Sequence, residues 1–265
     1  MSTQMDELIA LVRRVAQEEI MPRFTLVERA HKSDGSIVTA ADLACQDKIK
    51  TELRLRYPDY VFLAEEMTAQ QQSQLLTSEQ PIWCLDPLDG TSNFAAGIPY
   101  FSVSLCLICR GEVELAIVYD PVRDESFSAQ RGQGARLNGQ ELRVQDPALA
   151  LSQSIALVDF KRLPVELKQK LILNPPYASQ RSFGSVALDW CWLAMGRVHV
   201  YLHGRSNIWD YAGGEFICRE AGGVSCTLEA EPIFIKAALP RSCVGAVSES
   251  LFESWRTYLQ IAALR

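Results

Sequence analysis

The segment "WCLDPLDGTSNF", residues 83–94, places two aspartates, a proline, a glycine and two hydroxyl residues directly after an apolar run. The proline stiffens the backbone between Asp86 and Asp89, so both carboxylates can face one pocket. If a helix begins at Gly90 and Thr91, their backbone N–H groups are free to bind an anion. Asp-Pro and Asp-Gly are also common turn formers, so this segment alone indicates a simple turn equally well.

Acidic residues follow apolar segments at three other places in the chain. Asp42 lies in "VTAAD", Glu65 and Glu66 end "FLAEE", and Asp210 lies in "NIWDYAGG". Carboxylates at strand ends can converge, and converging acids repel each other unless they share protons or bind cations. Oxygen ligands without histidine or cysteine favour a hard divalent ion such as Mg²⁺ or Mn²⁺. The pattern therefore predicts a divalent metal site next to an anion site.

Composition and charge exclude several classes of protein. Hydrophobic residues make up 48% and charged residues 22% of the 265 residues, which is ordinary globular usage with enough apolar side chains for a core. The formal net charge of −6 disfavours a broad nucleic-acid or anionic membrane surface, so we expect neither partner. The N-terminal segment lacks the order of a signal peptide, and no apolar stretch is long enough to span a bilayer. We therefore expect a cytoplasmic protein.

The eight cysteines are scattered and lie mostly inside apolar segments. Cys106 and Cys109 form a C-x-x-C motif, but "FSVSLCLICRGE" reads as a strand, and no second pair completes a zinc site. We expect buried, reduced thiols.

The chain divides into two halves of different pattern. Residues 1–145 begin with a helical pattern at about Met5–Phe24, continue with a helix for which Thr39 is a plausible N-cap, and then become rich in strand patterns. Residues 146–265 alternate strand-like and helix-like runs, which indicates an α/β region. No long linker separates the halves. We expect them to pack as one unit, with most of the candidate metal ligands in the first half and with Asp210 and substrate-contacting residues in the second.

Several of these motifs together resemble the inositol monophosphatase family. "WCLDPLDGTSNF" is similar to its first signature and "WDYAGGEFICREAGG", residues 209–223, to its second. "KSDGSIVTAAD" and "FLAEE" match the acidic segments expected upstream, and "RSFGSVALDWCWLAMGRVHVYL" matches the segment before the second signature. The match runs in order from Lys32 to Gly223. The resemblance implies an α+β fold with layered αβαβα architecture, a sugar-phosphatase fold.

The resemblance also implies a set of metal ligands. Glu65, Asp86 and the backbone carbonyl of Leu88 would hold one Mg²⁺, and Asp86, Asp89 and Asp210 would hold a second. Asp86 would bridge the two ions, and a third, weaker ion would lie near Glu65. Mn²⁺ is a possible substitute, and Li⁺ would inhibit by competing at the weaker position.

The same family pattern assigns catalytic and phosphate-binding roles. The amides of Gly90 and Thr91 would bind the phosphate, and the Thr91 hydroxyl, polarised by Asp42, would orient the attacking water. Glu65 joins Thr91 and Asp42 in the expected catalytic set. Lys32 matches a family lysine, although a lysine in such a polar turn is more often only solvated.

Gly184, Ser185, His203 and Asp210 are the expected substrate-binding residues. At the position of His203, seven residues before the second-signature aspartate, animal members of the family have a glutamate that contacts ring hydroxyls. A histidine can hydrogen-bond a polyol, but it can also carry positive charge near a second phosphate, and Arg205 adds to that possibility. The leaving alcohol is therefore open.

The resulting prediction is a Mg²⁺-dependent phosphomonoesterase that uses a metal-activated water and forms a homodimer. Its substrate would be a small polyol or sugar phosphate, with inositol 1-phosphate as the leading candidate. The enzyme alternatives are 3'-phosphoadenosine 5'-phosphate and fructose-1,6-bisphosphate phosphatases. A sugar-phosphate-binding regulatory protein on the same fold is the alternative from another class. Such a protein would be expected to have lost a ligand, whereas Glu65, Asp86, Asp89 and Asp210 are all present.

Overall fold

The computed structural model describes residues 3–24, 30–31 and 37–262, so Lys32 lies outside the described residues. The helices within these ranges are α1 Thr3–Val15, α2 Ala40–Arg56, α3 Ala69–Leu76, α4 Thr91–Ala96, α5 Val165–Leu173, α6 Val186–Ala194, α7 Ile208–Glu220 and α8 Glu249–Leu259. The strands are β1 Ala30–His31, β2 Ile37–Val38, β3 Val61–Ala64, β4 Ile82–Asp89, β5 Ser102–Cys109, β6 Glu112–Asp120, β7 Glu125–Gln130, β8 Ala135–Leu137, β9 Gln140–Leu142, β10 Ile155–Asp159, β11 Ser179–Arg181, β12 Val200–Ser206, β13 Val224–Cys226 and β14 Arg241–Ala246.

The two N-terminal helices bury the faces that their spacing predicts. In α1, Leu8, Leu11, Val12 and Val15 recur at helical intervals and are all buried. The helical region continues beyond α1 as a π-helical turn and then a 3₁₀ turn that contains Pro22. Proline has no backbone N–H to donate, which accounts for the change of hydrogen-bonding pattern before the predicted end of the helix.

Helix α2 begins at the predicted cap. The Thr39 hydroxyl accepts a hydrogen bond from the Ala41 N–H, and the Asp42 carboxylate accepts one from the Thr39 N–H at 2.8 Å. This reciprocal arrangement is a capping box, which satisfies donors that a helix start leaves free. The predicted N-cap is confirmed, and the cap fixes the Asp42 side chain.

A seven-stranded sheet carries the first half of the chain, in the order β3-β4-β5-β6-β7-β8-β9. Strand β3 is parallel to β4, and every other neighbouring pair is antiparallel. A five-stranded sheet in the order β11-β10-β12-β14-β13 carries the second half. The two sheets therefore lie on opposite sides of the predicted division at residues 145 and 146.

The elements stack in five layers. Helices α1 and α2 pack on one face of the larger sheet, and α6 and α7 pack on its other face. The smaller sheet lies beyond α6 and α7, and α8 covers its outer face. Close packing is visible at Gly245 of β14, where an added Cβ would lie 2.6 Å from the Trp190 ring of α6. The fold is α+β with the expected αβαβα layering.

The cysteines are all free thiols, and Cys109 alone of the eight is not fully buried. The expectation of buried, reduced thiols is confirmed for the other seven. In the described part of the chain, no helix is both long and apolar enough to cross a membrane.

Candidate active site

Strand β4 carries Asp86 and Asp89 to its C-terminal end. Every residue of β4 is buried. Asp86 pairs with Ser104 of β5 and Asp89 pairs with Ser102, and the register shifts between the two pairs. A regular strand would place residues three apart on opposite faces, but an irregularity of this kind bends the strand and redirects its side chains. The shift therefore allows both carboxylates to face one site.

Glu65 reaches the same site from the neighbouring strand. Strand β3 runs parallel to β4, with Ala64 opposite Leu85. The carboxyl ends of parallel strands meet at one edge of a sheet, so Glu65 follows β3 at the level of Asp86.

Asp210 approaches from the helix layer beneath the sheet. It lies in the first turn of α7, where its Oδ2 accepts a hydrogen bond from the Asn207 N–H at 2.8 Å. Helix α7 packs against β4 to β7. An added Cβ on Gly213 would lie 2.8 Å from the Ser104 hydroxyl, so this glycine permits the close approach of helix and sheet.

Burial and mutual repulsion raise the pKa values of three carboxyl groups in this cluster. Burial raises the pKa of Asp86 well above its usual range, and the charges of Glu65 and Asp89 add to the rise. Burial raises the pKa of Asp89 to about 6, against hydrogen bonds that lower it. Burial also raises the pKa of Asp210 well above its usual range, with further contributions from Asp89 and Glu65. The four acids thus form one interacting cluster of negative charge.

The donor set of this cluster fits a hard divalent cation. All of its side-chain donors are carboxylate oxygens, the ligands that Mg²⁺ and Mn²⁺ prefer. Converging carboxylates with raised pKa values are stabilised in their charged form by a cation between them. Among the residues that the structure describes, no three His, Cys, Asp or Glu side chains are already arranged to hold a metal ion. The mutual effects of these acids on their pKa values place them within the range of charge interaction.

Ser185, an expected substrate-binding residue, lies against Asp89. Its hydroxyl donates to Asp89 Oδ2 at 2.6 Å, and the Ala187 N–H donates to the same oxygen at 2.7 Å. Both donors lie at the start of α6, so the second half of the chain fixes a carboxylate of the first. The neighbouring Gly184 has φ +88°, and an added Cβ there would lie 3.5 Å from the Asn93 side chain of α4.

A second hydrogen-bonded group joins Thr91 to Asp42. The Thr91 hydroxyl lies 2.9 Å from the Leu88 carbonyl oxygen and 3.3 Å from Asp42 Oδ1. Asp42 is fully buried, and its Oδ2 accepts hydrogen bonds from the Thr39 N–H and hydroxyl. Burial raises the pKa of Asp42 to about 6, although the Thr39 donors oppose the shift. One hydroxyl proton can serve only one acceptor, so Thr91 can exchange between Leu88 and Asp42.

Gly90 forms the junction between β4 and α4. Its φ is +95°, and an added Cβ would lie 3.0 Å from the Tyr100 carbonyl oxygen and 3.2 Å from Phe101. Only glycine fits both the left-handed backbone and this contact. Helix α4 starts at Thr91, so the N–H groups of its first turn have no partner within the helix.

His203 is buried in the middle of β12. Its Nδ1 accepts a hydrogen bond from the Arg205 N–H at 3.3 Å, and its Nε2 lies 3.6 Å from Asp159 Oδ2. Burial lowers the pKa of His203 to about 4, and the nearby Arg162 adds to the fall. The side chain is therefore neutral near pH 7, and both ring nitrogens face protein groups.

Two acidic residues near the site were missed by the sequence analysis. Asp159 ends the apolar run "SIALVD" and so carries the same signal as the four acidic positions that were singled out. Asp189 is buried in α6, where its Oδ1 accepts a hydrogen bond from the Tyr100 hydroxyl at 2.9 Å. Its position inside a helical apolar pattern gave no such signal.

A family model and curated proteins match most of this chain. The family model described as the inositol monophosphatase family matches residues 2–261. Nus factor SuhB of Pasteurella multocida is 38% identical over 200 residues, which cover 74% of this chain and 73% of that protein. Inositol monophosphatase 1 of Solanum lycopersicum is also 38% identical over 200 residues, which cover 73% of each chain.

Solved structures of similar proteins have the same fold. The suhB protein of Bartonella henselae superposes with a TM-score of 0.84 at 26% identity, covering 99% of this chain and 100% of that chain. Inositol monophosphatase II of Staphylococcus aureus, in a structure with bound inositol monophosphate, superposes with a TM-score of 0.79 at 27% identity, covering 95% and 91%.

Proposed function

Since this chain belongs to the inositol monophosphatase family, we propose that it is a metal-dependent phosphatase that hydrolyses a small polyol or sugar phosphate. The observation that carries the proposal is the charge cluster of Glu65, Asp86, Asp89 and Asp210 beside the hydrogen-bonded Asp42 and Thr91. Inositol 1-phosphate is the leading substrate, supported by the name of the tomato relative and by the ligand of the Staphylococcus aureus structure.

We assign two to three divalent ions, Mg²⁺ in preference to Mn²⁺, to the acidic cluster. Glu65, Asp86 and the Leu88 carbonyl would hold one ion, and Asp86, Asp89 and Asp210 would hold another. When bound, such ions supply charge neutralisation for the phosphate and lower the pKa of water to a useful range. Ser185 and the Ala187 N–H hold Oδ2 of Asp89, and the Val186 N–H also donates to this carboxylate. A carboxylate offers about four lone-pair sites, so these three donors leave capacity for a cation.

The catalytic assignment rests on Thr91 and its two acceptors. Asp42 is fixed by the cap of α2, so its Oδ1 stays beside the Thr91 hydroxyl. When that hydroxyl donates to Asp42, its own lone pairs can accept a hydrogen bond from the attacking water and orient it. Glu65 would complete the catalytic set as a ligand of the metal ion that it shares with Asp86 and the Leu88 carbonyl.

The phosphate and the alcohol would lie on different sides of the cluster. We assign the phosphate to the amides of Gly90 and Thr91 at the start of α4, where N–H groups lack partners within the helix. The leaving alcohol would lie towards Gly184, Ser185, Asp210 and His203.

Phosphate release tests the proposal directly. Purified protein is incubated with inositol 1-phosphate, fructose 1,6-bisphosphate and 3'-phosphoadenosine 5'-phosphate, with and without Mg²⁺, and inorganic phosphate is measured. We expect Mg²⁺-dependent release from at least one ester, and the panel also separates the leading substrate from the two alternatives.

The Asp89→Asn variant, with Asp47→Asn as its control, identifies the site. Asp47 is exposed on α2, so its replacement removes the same charge away from the cluster. We expect Asp89→Asn to lose activity and Asp47→Asn to keep it. If the wild type releases no phosphate from any ester, or if Asp89→Asn is as active as the wild type, the enzymatic proposal is contradicted.

A second candidate function is a Nus factor role, which is favoured by the name of the Pasteurella multocida relative at 38% identity. The Asp89→Asn variant can separate the two roles. In a Pasteurella multocida strain that lacks its own SuhB, complementation by both the wild type and Asp89→Asn would support a role independent of hydrolysis.

Three further properties are proposed on the family resemblance alone. Li⁺ titration of phosphate release tests inhibition by lithium, and sedimentation equilibrium tests the homodimer. Fractionation of the cells that produce the protein tests a cytoplasmic location.

A further inference from the structure

The loop between β10 and α5, residues 160–164, lies directly against β12. An added Cβ on Gly204 would lie 2.2 Å from the Arg162 carbonyl oxygen and 2.7 Å from the Leu163 nitrogen. Both of those atoms belong to backbone, which cannot move aside without moving the loop. The absence of a side chain at position 204 therefore sets the position of Arg162 relative to β12.

The Arg162 side chain is held at the edge of the candidate active site. Its Nη1 donates to the Arg205 carbonyl oxygen at 3.0 Å. Its positive charge acts on both Asp210 and His203, lowering the pKa of each. A guanidinium group has five N–H donors, so most of them remain for a ligand after this one contact. The side chain is exposed and therefore accessible to a substrate.

Arg162 is one of three exposed cations in this loop and the adjoining end of β12. Lys161, Arg162 and Arg205 are all exposed, and none forms an ion pair with a residue that the structure describes. The Lys161 N–H donates to Asp159 Oδ1 at 2.7 Å, which shapes the start of the loop. Three unpaired cations in a chain of net charge −6 make a local anion-attracting surface.

His203 faces inward and not towards this surface. The side chain is only 8% exposed, its Nδ1 accepts from the Arg205 N–H, and its Nε2 faces Asp159. His203 lies opposite Asp159 in the parallel pairing of β10 and β12. Its contacts therefore join the middle of β12 to the end of β10 and position the loop that carries Arg162.

We propose that Arg162 binds a second acidic group of the substrate, so that bisphosphates of sugars or polyols are preferred over the corresponding monophosphates. The inference rests on the proposed function, since it concerns the alcohol side of the same site. Arg162 is the specificity-determining residue, and His203 and Gly204 are positioning residues. A guanidinium can bind the second phosphate of a bisphosphate through two parallel, charge-assisted hydrogen bonds. The corresponding monophosphate has a neutral hydroxyl group at that position, which binds the guanidinium more weakly.

Steady-state kinetics on two matched pairs of esters tests the inference. The pairs are inositol 1-phosphate with inositol 1,4-bisphosphate, and fructose 1-phosphate with fructose 1,6-bisphosphate. We expect a KM about tenfold lower for the bisphosphate of at least one pair, the effect of one charge-assisted contact. Arg162→Gln should raise that KM about tenfold, while kcat and the KM for the monophosphate stay within about twofold.

Three further variants distinguish a direct contact between Arg162 and the substrate from an indirect effect on the loop. Arg162→Lys keeps the charge and should retain part of the preference, while Gly204→Ala should displace the loop and reduce the preference without removing a charge. Arg143→Gln, at an exposed arginine paired with Glu141, is the control and should change neither KM. The melting temperature of Arg162→Gln should equal that of the wild type, because the side chain is exposed.

Each outcome decides between the two proposals. Equal KM values within both pairs, or a bisphosphate preference that survives Arg162→Gln, would overturn the role of Arg162 and leave the phosphatase intact. No phosphate release from any of the four esters in the presence of Mg²⁺ would overturn the proposed function itself.

Discussion

The Thr91 hydroxyl oxygen lies 3.3 Å from Oδ1 of Asp42, while the other oxygen of Asp42 accepts two hydrogen bonds from Thr39 at the start of α2. One carboxylate thus caps a helix and faces the proposed nucleophile-orienting hydroxyl. Its position is set by backbone structure, so the Thr91 contact does not depend on a freely rotating side chain.

Replacement of this carboxylate should affect catalysis more than stability. We expect Asp42→Asn to lower kcat about a hundredfold, within the range for groups that assist proton transfer. Asparagine keeps one acceptor oxygen for Thr39, so the loss of the charged acceptor should cost no more than about 1 kcal/mol of unfolding free energy. Phosphate release and urea unfolding measure the two effects, with Asp47→Asn on the same helix as control. A kcat equal to that of the wild type would rule out the proposed role of Asp42.

Removal of the Ser185 hydroxyl should weaken metal binding more than substrate binding. Ser185→Ala deletes the 2.6 Å hydrogen bond to Asp89 Oδ2 and leaves the carboxylate with the N–H donors of Ala187 and Val186. Partners of ligating carboxylates typically contribute about 10–100-fold to metal affinity, so we expect the Mg²⁺ concentration for half-maximal activity to rise by such a factor. If the substrate KM rises instead at saturating Mg²⁺, Ser185 binds substrate as the sequence analysis expected.

Gly90→Ala should destabilise the protein more than Gly97→Ala, because only the alanine at position 90 would clash with neighbouring atoms. Both residues have positive φ, +95° and +75°, so both substitutions incur a strain of about 1–2 kcal/mol. An added Cβ at Gly90 would also lie 3.0 Å from the Tyr100 carbonyl oxygen, whereas none lies within 4 Å at Gly97. Urea unfolding compares the two free energies, and equal losses would show that the junction can relax.

Without metal, the acidic cluster should make stability fall as pH rises. Burial raises the pKa values of Asp42 and Asp89 from 3.8 to about 6, so the folded protein binds these protons more tightly than the unfolded chain. Their stabilising contribution is complete below pH 3.8 and is lost as pH rises to about 6.

Thermal unfolding in a chelator and in Mg²⁺, across this pH range, measures the effect. A cation that offsets the repulsion should raise the melting temperature more above about pH 6 than below about pH 4. Asp89→Asn should flatten the pH dependence of the metal-free protein. A Mg²⁺ effect of the same size at both ends of the range would contradict the assignment of the cluster as the metal site.

Local sequence signals were sufficient for the framework of the site. The cap at Thr39 depends on interactions within three residues, and the junction of β4 with α4 depends on the local backbone conformation of Gly90. Such short-range chemistry is readable from the chain itself. The roles of the acidic residues as ligands came from the family resemblance and stay predictions.

Contacts between distant segments were not readable in the same way. Ser185 and Asp89 are 96 residues apart, and no pattern in either segment indicates that they meet. His203 was expected to face substrate, but whether it does depends on the packing of β10 against β12 and on Asp159. The surroundings of a strand side chain are set by long-range packing, which propensity and periodicity do not encode.

The hydrogen bonds to Asp89 can form only late in the synthesis of the chain. Asp89 is made 96 residues before Ser185, an interval on the order of 5–20 s at usual elongation rates. Throughout that interval the acids of the first half exist without the hydroxyl and amide that later hold Asp89. On the proposed function, catalytic competence is then a property of the finished chain, and a product that ends before residue 185 should contain most of the proposed acidic ligands and release no phosphate.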